Sequence, residues 1–251
     1  MIKFFRKIRF QLLGEGKTGK YLKYAIGEIV LVVIGILIAL SINNWNVNKI
    51  QEQKETKILF TLLKDLKQAE RMSVTFIEDE QQSIKAFELV LSGRQGHKEL
   101  INLQNKDSIF HEIIFNIKSN APVIYAYMDL KSAGETGLIS NEIIRNGFTL
   151  LENKIIDLDR QLEDRLSVQQ LRFDDFAIEG LNFVQTLKTL PNTYNVDYGA
   201  NNDYMLLLQN QKFINAIAIK LVMTDDAITN RINLLKEIKD LIKLIEKELE
   251  I

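Results

Sequence analysis

The sequence predicts an all-α protein, one transmembrane helix followed by an elongated antiparallel helical bundle, and three observations carry that expectation. Tyr24 to Ile42 (YAIGEIVLVVIGILIALSI) is a run of nineteen residues with one charged member, Glu28. That is about the length a helix needs to cross the hydrocarbon core of a bilayer. Elsewhere the apolar residues recur in steps of three and four, the period of a helix with one buried face. Only two prolines and twelve glycines interrupt 251 residues, and a mixture rich in Leu, Ile, Lys, Glu, Asn and Gln suits long helices better than turn-rich sheets.

The first element is a basic segment, residues 1–23. Lys3, Arg6, Lys7, Arg9, Lys17, Lys20 and Lys23 face a single acid, Glu15. Within residues 3–13, Phe4, Phe5, Ile8, Leu12 and Leu13 alternate with four of these cations, the pattern of a short helix lying on an anionic inner leaflet. The excess of positive charge before the apolar run keeps the N-terminus in the cytoplasm and sends the chain after it outward. The span, residues 24–42, exceeds the apolar core of a cleaved signal peptide, although Ala39-Leu40-Ser41 faintly resembles a cleavage site. Trp45 is placed among headgroups on the outer face, and Tyr21 and Tyr24 on the inner face. Glu28 lies about one turn inside the cytoplasmic boundary, where a carboxyl can reach the headgroups or Lys23. Gly35 and Ala39 form a small-xxx-small pair through which two copies can pack closely.

Residues 46–251 then read as one helical domain outside the membrane. Leu59, Leu62, Leu66, Ala69, Phe76, Ile84, Phe87 and Leu91 fall on one seam and predict a helix over 46–91, able to continue the span without a break. Residues 93–105 read as an irregular connection. Ser108 is placed to cap a short helix carrying Ile109, Ile113, Ile114 and Ile117, and Pro122 to begin another that stops near Gly134. Tyr125, Tyr127 and Met128 are expected to pack at that helix start. Ser140 caps the next helix, whose Ile144, Phe148, Leu151, Ile155, Leu158 and Leu162 step in near-heptad, coiled-coil fashion to about Leu190, where Pro191 closes it. Residues 191–203 are rich in turn formers. A last helix carries Phe213, Ile217, Leu221, Thr224, Ile228, Leu235, Ile238, Ile242, Ile245 and Leu249.

Two stretches, IKFFRKIR (residues 2–9) and KYLKYAIGEIVLVVIGILIALSINNWN (residues 20–46), resemble the start of a family of uncharacterised single-pass proteins of Bacteroidota, above all flavobacteria, classified as a domain of unknown function. AYMDLKSAGETGLISNEIIR (residues 126–145) is similar to a second block of that family. Ser41 stands where the family pattern suggests glutamine, and residues 14–19 are glycine-rich for it. The resemblance implies a Gram-negative inner membrane with the large domain in the periplasm. It implies no catalytic residue, ligand or partner.

Chemistry-bearing motifs are scarce. The chain has no cysteine, so disulfides and thiolate metal sites are excluded. Gly14 to Lys20 satisfies G-x-x-x-x-G-K, but no buried strand precedes it and Tyr21 stands where a Mg²⁺-binding hydroxyl belongs. His111-Glu112 begins like a zinc-protease helix, but Phe115 replaces the second histidine. Asp174, Asp175 and Glu179, like Asp225 and Asp226, read as solvated helix faces. Lys131, Ser132 and Ser140 lack an oxyanion motif. Apart from the basic head the chain is acidic and would repel phosphate backbones, so no nucleic-acid partner is expected. The expected function is therefore non-enzymatic, without metal or cofactor: a membrane-anchored periplasmic interaction or scaffolding protein. Its partners would be the lipid bilayer, further copies of itself as a homo-oligomer, and an envelope protein. The alternative is a periplasmic ligand-sensing bundle acting through a membrane partner. An exposed apolar groove favours a protein partner, a closed polar pocket a small ligand, and converging carboxylates an enzyme.

Overall fold

The computed structural model describes residues 18–188, 194–196 and 198–251; it is 83% helical, with no strand among the described residues. The basic segment of residues 3–13 and the start of the glycine-rich stretch lie outside the described residues. Helix α1 runs unbroken over Thr18–Leu91, as expected from a stretch with neither proline nor glycine between Gly35 and Gly93. It is long and apolar enough to cross a membrane near its N-terminal end. Every large apolar side chain from Ile29 to Ile42 is exposed. The chain divides into two compact units, Met1–Lys57 and Ile58–Ile251.

At the end of α1 the Ser92 amide donates to Glu88 O, and Gly93 takes φ 74°, a left-handed conformation glycine adopts without penalty. The residues after it were expected to be irregular but form α2, Arg94–Asn102. Its Leu100 is wholly buried in a core cluster, so tertiary packing supplies what nine residues of polar sequence lack. Helix α3 covers Lys106–Phe115 and begins two residues before Ser108, with Asn105 at its N-cap position; Ser108 lies inside the helix and caps nothing. Helix α4 starts at Tyr125, not at Pro122, and ends at Ser132. A 3₁₀ turn over Thr136–Leu138 leads to α5, Glu142–Asp175. The cap of α5 is Asn141 rather than Ser140: its Oδ1 accepts from the amides of Ile143 at 3.0 Å and Ile144 at 3.4 Å.

Helix α5 stops fifteen residues short of the expected Leu190. A π turn over Phe176–Gly180 gives way to α6, Phe183–Leu187. Asn182 explains the break, because its Nδ2 donates to Tyr198 O and Ala200 O while its amide donates to Asn202 Oδ1; the side chain ties the chain to the 198–202 loop in place of helical continuation. Helices α7, Tyr204–Leu208, and α8, Gln211–Glu248, follow, capped by Asp203 and Asn210.

Cross-helix bonds give the topology of the second unit. Asn141–Glu248, Lys154–Glu237, Asn230–Gln161 and Arg165–Thr224 pair rising numbers on or beside α5 with falling numbers on α8, so these helices are antiparallel. Lys67–Glu246, Glu70–Lys239 and Glu80–Arg231 show the same for α1 and α8. Gly147 permits close approach: a Cβ there would sit 2.7 Å from Leu241 Cδ2. The fourth stave runs back along α1, as Lys118–Asp79 and the Ala126 amide to Asp65 Oδ2 show. It is not one helix but α3, an extended strap over residues 116–124 and α4.

Candidate functional site

Two apolar clusters fill the bundle. One gathers Leu59 to Ala69 of α1 with Ile144 to Leu162 of α5 and Ala227 to Ile245 of α8. The other gathers Phe87, α2, α3 and α7 with Phe173 and Phe213 to Ile217. Between them lies a buried polar layer of Ser73, Glu80, Arg165, Gln169, Lys220, Thr224 and Arg231. The broken stave accounts for it. Where a helix stops inside a bundle, its last carbonyls lose their partners and must find donors. Lys220 Nζ donates to Ile113 O at 2.9 Å and Ile114 O at 3.0 Å, and Gln169 Nε2 donates to Ile114 O at 2.6 Å. Arg231 donates to the strap carbonyls of Asn120 at 2.9 Å and Lys118 at 3.2 Å. Glu80 then receives two cations, with Arg165 Nη1 at 2.7 Å and Arg231 Nε at 3.0 Å, while Arg165 Nη2 also donates to Thr224.

Lys220 is the exceptional member. Its ammonium lies 5.0 Å from the Phe173 ring and 5.6 Å from that of Phe87. Burial, reinforced by Arg165 and opposed by Glu112, lowers its pKa from 10.5 to about 7. Between those values the unfolded chain holds a proton that the folded chain has released, so raising the pH stabilises the fold; below about pH 7 both states carry the charge and the dependence vanishes. The melting temperature of the full chain in detergent is expected to rise between pH 7 and 9.5 more steeply than that of Lys220→Met. Equal slopes would show that Lys220 does not titrate there.

Beside this layer, α4 and α5 enclose an apolar groove of about 270 Å³ lined by Val123, Met128, Phe148, Leu151, Ile155 and Ile156. Its floor is fixed by Tyr127, stacked on Phe148 at 4.8 Å. Its rim is uncovered: Met128 is 52% exposed, Ile156 47% and Val123 40%. Tyr127 packs as the sequence suggested, but Tyr125 and Met128 do not. The helix begins at Tyr125 rather than Pro122, and both side chains turn outward. Glu152, on the groove wall, is paired with Lys131 at 2.6 Å. Asp159 is the last α5 residue to line the groove, and its carboxyl is raised above the usual range by burial and then by Glu163, with Arg231 opposing.

The residues singled out in the membrane segment all fall on α1. Trp45 is exposed, with Lys49 Nζ 5.2 Å from its ring centroid. Glu28 is half-buried. Gly35 and Ala39 share a face one turn apart, and a Cβ on Gly35 would meet no atom within 4 Å. Tyr21 and Tyr24 lie within the helix, their side chains outside the described set. His111 stands 5.2 Å from the Phe115 ring, its pKa lowered by burial against the opposing charge of Glu112, whereas His97 is hydrogen-bonded at 2.7 Å to Val90 O. Asp225 and Asp226 are exposed. Asp175 and Glu179 border a cleft of about 570 Å³ beside Arg172 and Lys212, and the Asp174 side chain lies outside the described set. Among the described residues no three His, Asp or Glu side chains are grouped to hold a metal ion.

The polar layer was missed in the sequence, although a signal existed. Glu80, Arg165, Gln169, Lys220 and Arg231 interrupt the apolar steps of three different helices.

A family model described as a family of unknown function (DUF6090) matches residues 28–174. The match takes in Glu80, Arg165 and the whole α4–α5 groove, and stops before Lys220 and Arg231. No curated protein and no solved structure matches the chain.

Proposed function

The chain belongs to this family of unknown function (DUF6090), and we propose that it is a membrane-anchored, non-enzymatic interaction protein whose α4–α5 groove receives an apolar segment of another envelope protein. The apolar part of α1 crosses the inner membrane with residues 1–23 in the cytoplasm, and the helical unit from Ile58 onward works in the periplasm. Exposed apolar side chains from Ile29 to Ile42 and the positive charge before them support that topology. Lipid is the first partner, and Gly35 with Ala39 offers a face for a second copy of the span.

One observation carries the interaction role: the groove leaves Val123, Met128 and Ile156 in solvent, side by side, over an apolar floor. Water penalises such a surface, and a helix laid into it would bury its own apolar stripe there. The charged groups of the polar layer, by contrast, are engaged by bonds within the chain, and among its described atoms Ser73 Oγ and Gln169 Oε1 lack a partner. A photo-crosslinking side chain at Met128 in native membranes should trap a discrete envelope protein, and one at the exposed Lys243 should not. Ile156→Asp should abolish the trapped species. Equal labelling at both positions would defeat the proposal.

The ligand-sensing alternative is favoured by a cleft of about 390 Å³ whose lining includes Asp79, Ser83, Glu112 and Lys118. Its lining includes the buried Phe87 and Ile113 of the cluster around α2, α3 and α7, so an occupant would touch the cluster that Lys220 adjoins.

A further inference from the structure

We propose that the segment received by the α4–α5 groove is a helix with an apolar stripe and a lysine or arginine at one end of it, bound by the carboxylates of Asp159 and Glu163. The proposal rests on the groove being a protein-binding site and specifies what binds there. The acids along its α5 wall and one turn beyond it are not equivalent. Glu152 already has its cation, Lys131. No hydrogen bond or ion pair within the described residues engages Asp159, at the end of the groove, or Glu163, one turn beyond it; both are exposed, and like charges so spaced on a helix repel. The cation behind Asp159 is Arg231, three of whose five N–H groups are bound to Glu80 and to the carbonyls of Lys118 and Asn120. Burial first and then the charge of Glu163 raise the Asp159 pKa, with Arg231 opposing them.

Size and charge together select the occupant. A cavity of about 270 Å³ falls just below the range of roughly 300–1,000 Å³ typical of small-molecule sites, and it holds a few side chains rather than a cofactor. Its walls are α5 on one side and α4 with the end of the strap on the other, a setting that suits anchors spaced three and four residues apart on a further helix. A phospholipid with its phosphate at the Asp159 end would meet like charge there. A basic residue at the end of an apolar stripe relieves the acid pair instead.

The test uses the full-length protein in nanodiscs and three fluorescent fourteen-residue amphipathic helices. They share one leucine face and differ only in a terminal Lys, Gln or Glu. The Lys peptide should bind about 10-fold tighter than the Glu peptide, with the preference shrinking in high salt. In Asp159→Asn/Glu163→Gln the preference should fall below about 2-fold while the Gln peptide binds as before, and Ile156→Asp should lose all three. Equal binding of the three peptides to the wild type, still lost in Ile156→Asp, would overturn the cation assignment and leave the groove in place. Absence of binding by any peptide would overturn both. Displacement of the Lys peptide by oleate at equal concentration would assign the groove to a lipid chain and overturn the proposal.

Discussion

Glu80→Ala is expected to cost the helical unit about 3–5 kcal/mol, the usual consequence of leaving a buried charge without its partner. Glu80 is 2% exposed and holds both Arg165 and Arg231, themselves 4% and 1% exposed. Without it two guanidinium groups remain inside the bundle with no carboxylate between them. For a unit of this size the melting temperature should fall by about 10 °C. Lys67→Ala, which removes the exposed pair with Glu246, should change it by under about 3 °C, since solvent screens that pair. Replacing the whole triad by Leu and two Met should recover part of the loss but not all, because Arg231 also serves Lys118 O and Asn120 O, and methionine cannot donate to them. Circular dichroism of the detergent-solubilised chain reads all three. A loss for Glu80→Ala no larger than for Lys67→Ala would mean that the triad does not hold the strap.

A comparably large effect is expected at the other end of the chain. Ile34→Arg combined with Leu37→Arg places two cations near the middle of the apolar run, at about 2.5–3.5 kcal/mol each on insertion scales. Alkaline phosphatase fused after Asn105 should be active and resist carbonate extraction in the wild type, because the enzyme folds only outside the cytoplasm. In the double variant most of the activity and most of the membrane retention should disappear. Unchanged retention would show that the run does not cross the bilayer, and a wild-type fusion that is retained but inactive would reverse the orientation.

What could be read from residues alone was whatever depends on neighbours in the chain. An unbroken α1 follows from the absence of proline and glycine between Gly35 and Gly93, and the apolar run from Tyr24 to Ile42 identifies itself by length. The stripes of α5 and α8 name their own buried faces: Phe148, Leu151, Leu158 and Leu162 are all in the cluster shared with α1, as are Ile238, Ile242 and Ile245. Caps slipped by one to three residues, as from Ser140 to Asn141 and from Ser108 to Asn105, because nearby polar side chains compete for the same amides and packing chooses between them.

The stop of α5 at Asp175 was invisible for a different reason. Its cause, the clasp of Asn182 with Asn202, links residues twenty apart. The same limit hid both parts of the candidate site. Glu80, Arg165, Lys220 and Arg231 sit on the apolar stripes of their helices, where a charge looks like an error until the register of α1 against α5 and α8 sets them at one depth, opposite the strap that needs donors. Met128 and Ile156 look like ordinary core residues until the fourth stave breaks and leaves them uncovered. Periodicity along one helix determines which residues seek a partner; whether a partner arrives depends on contacts between segments distant in sequence, and only the tertiary structure decides those.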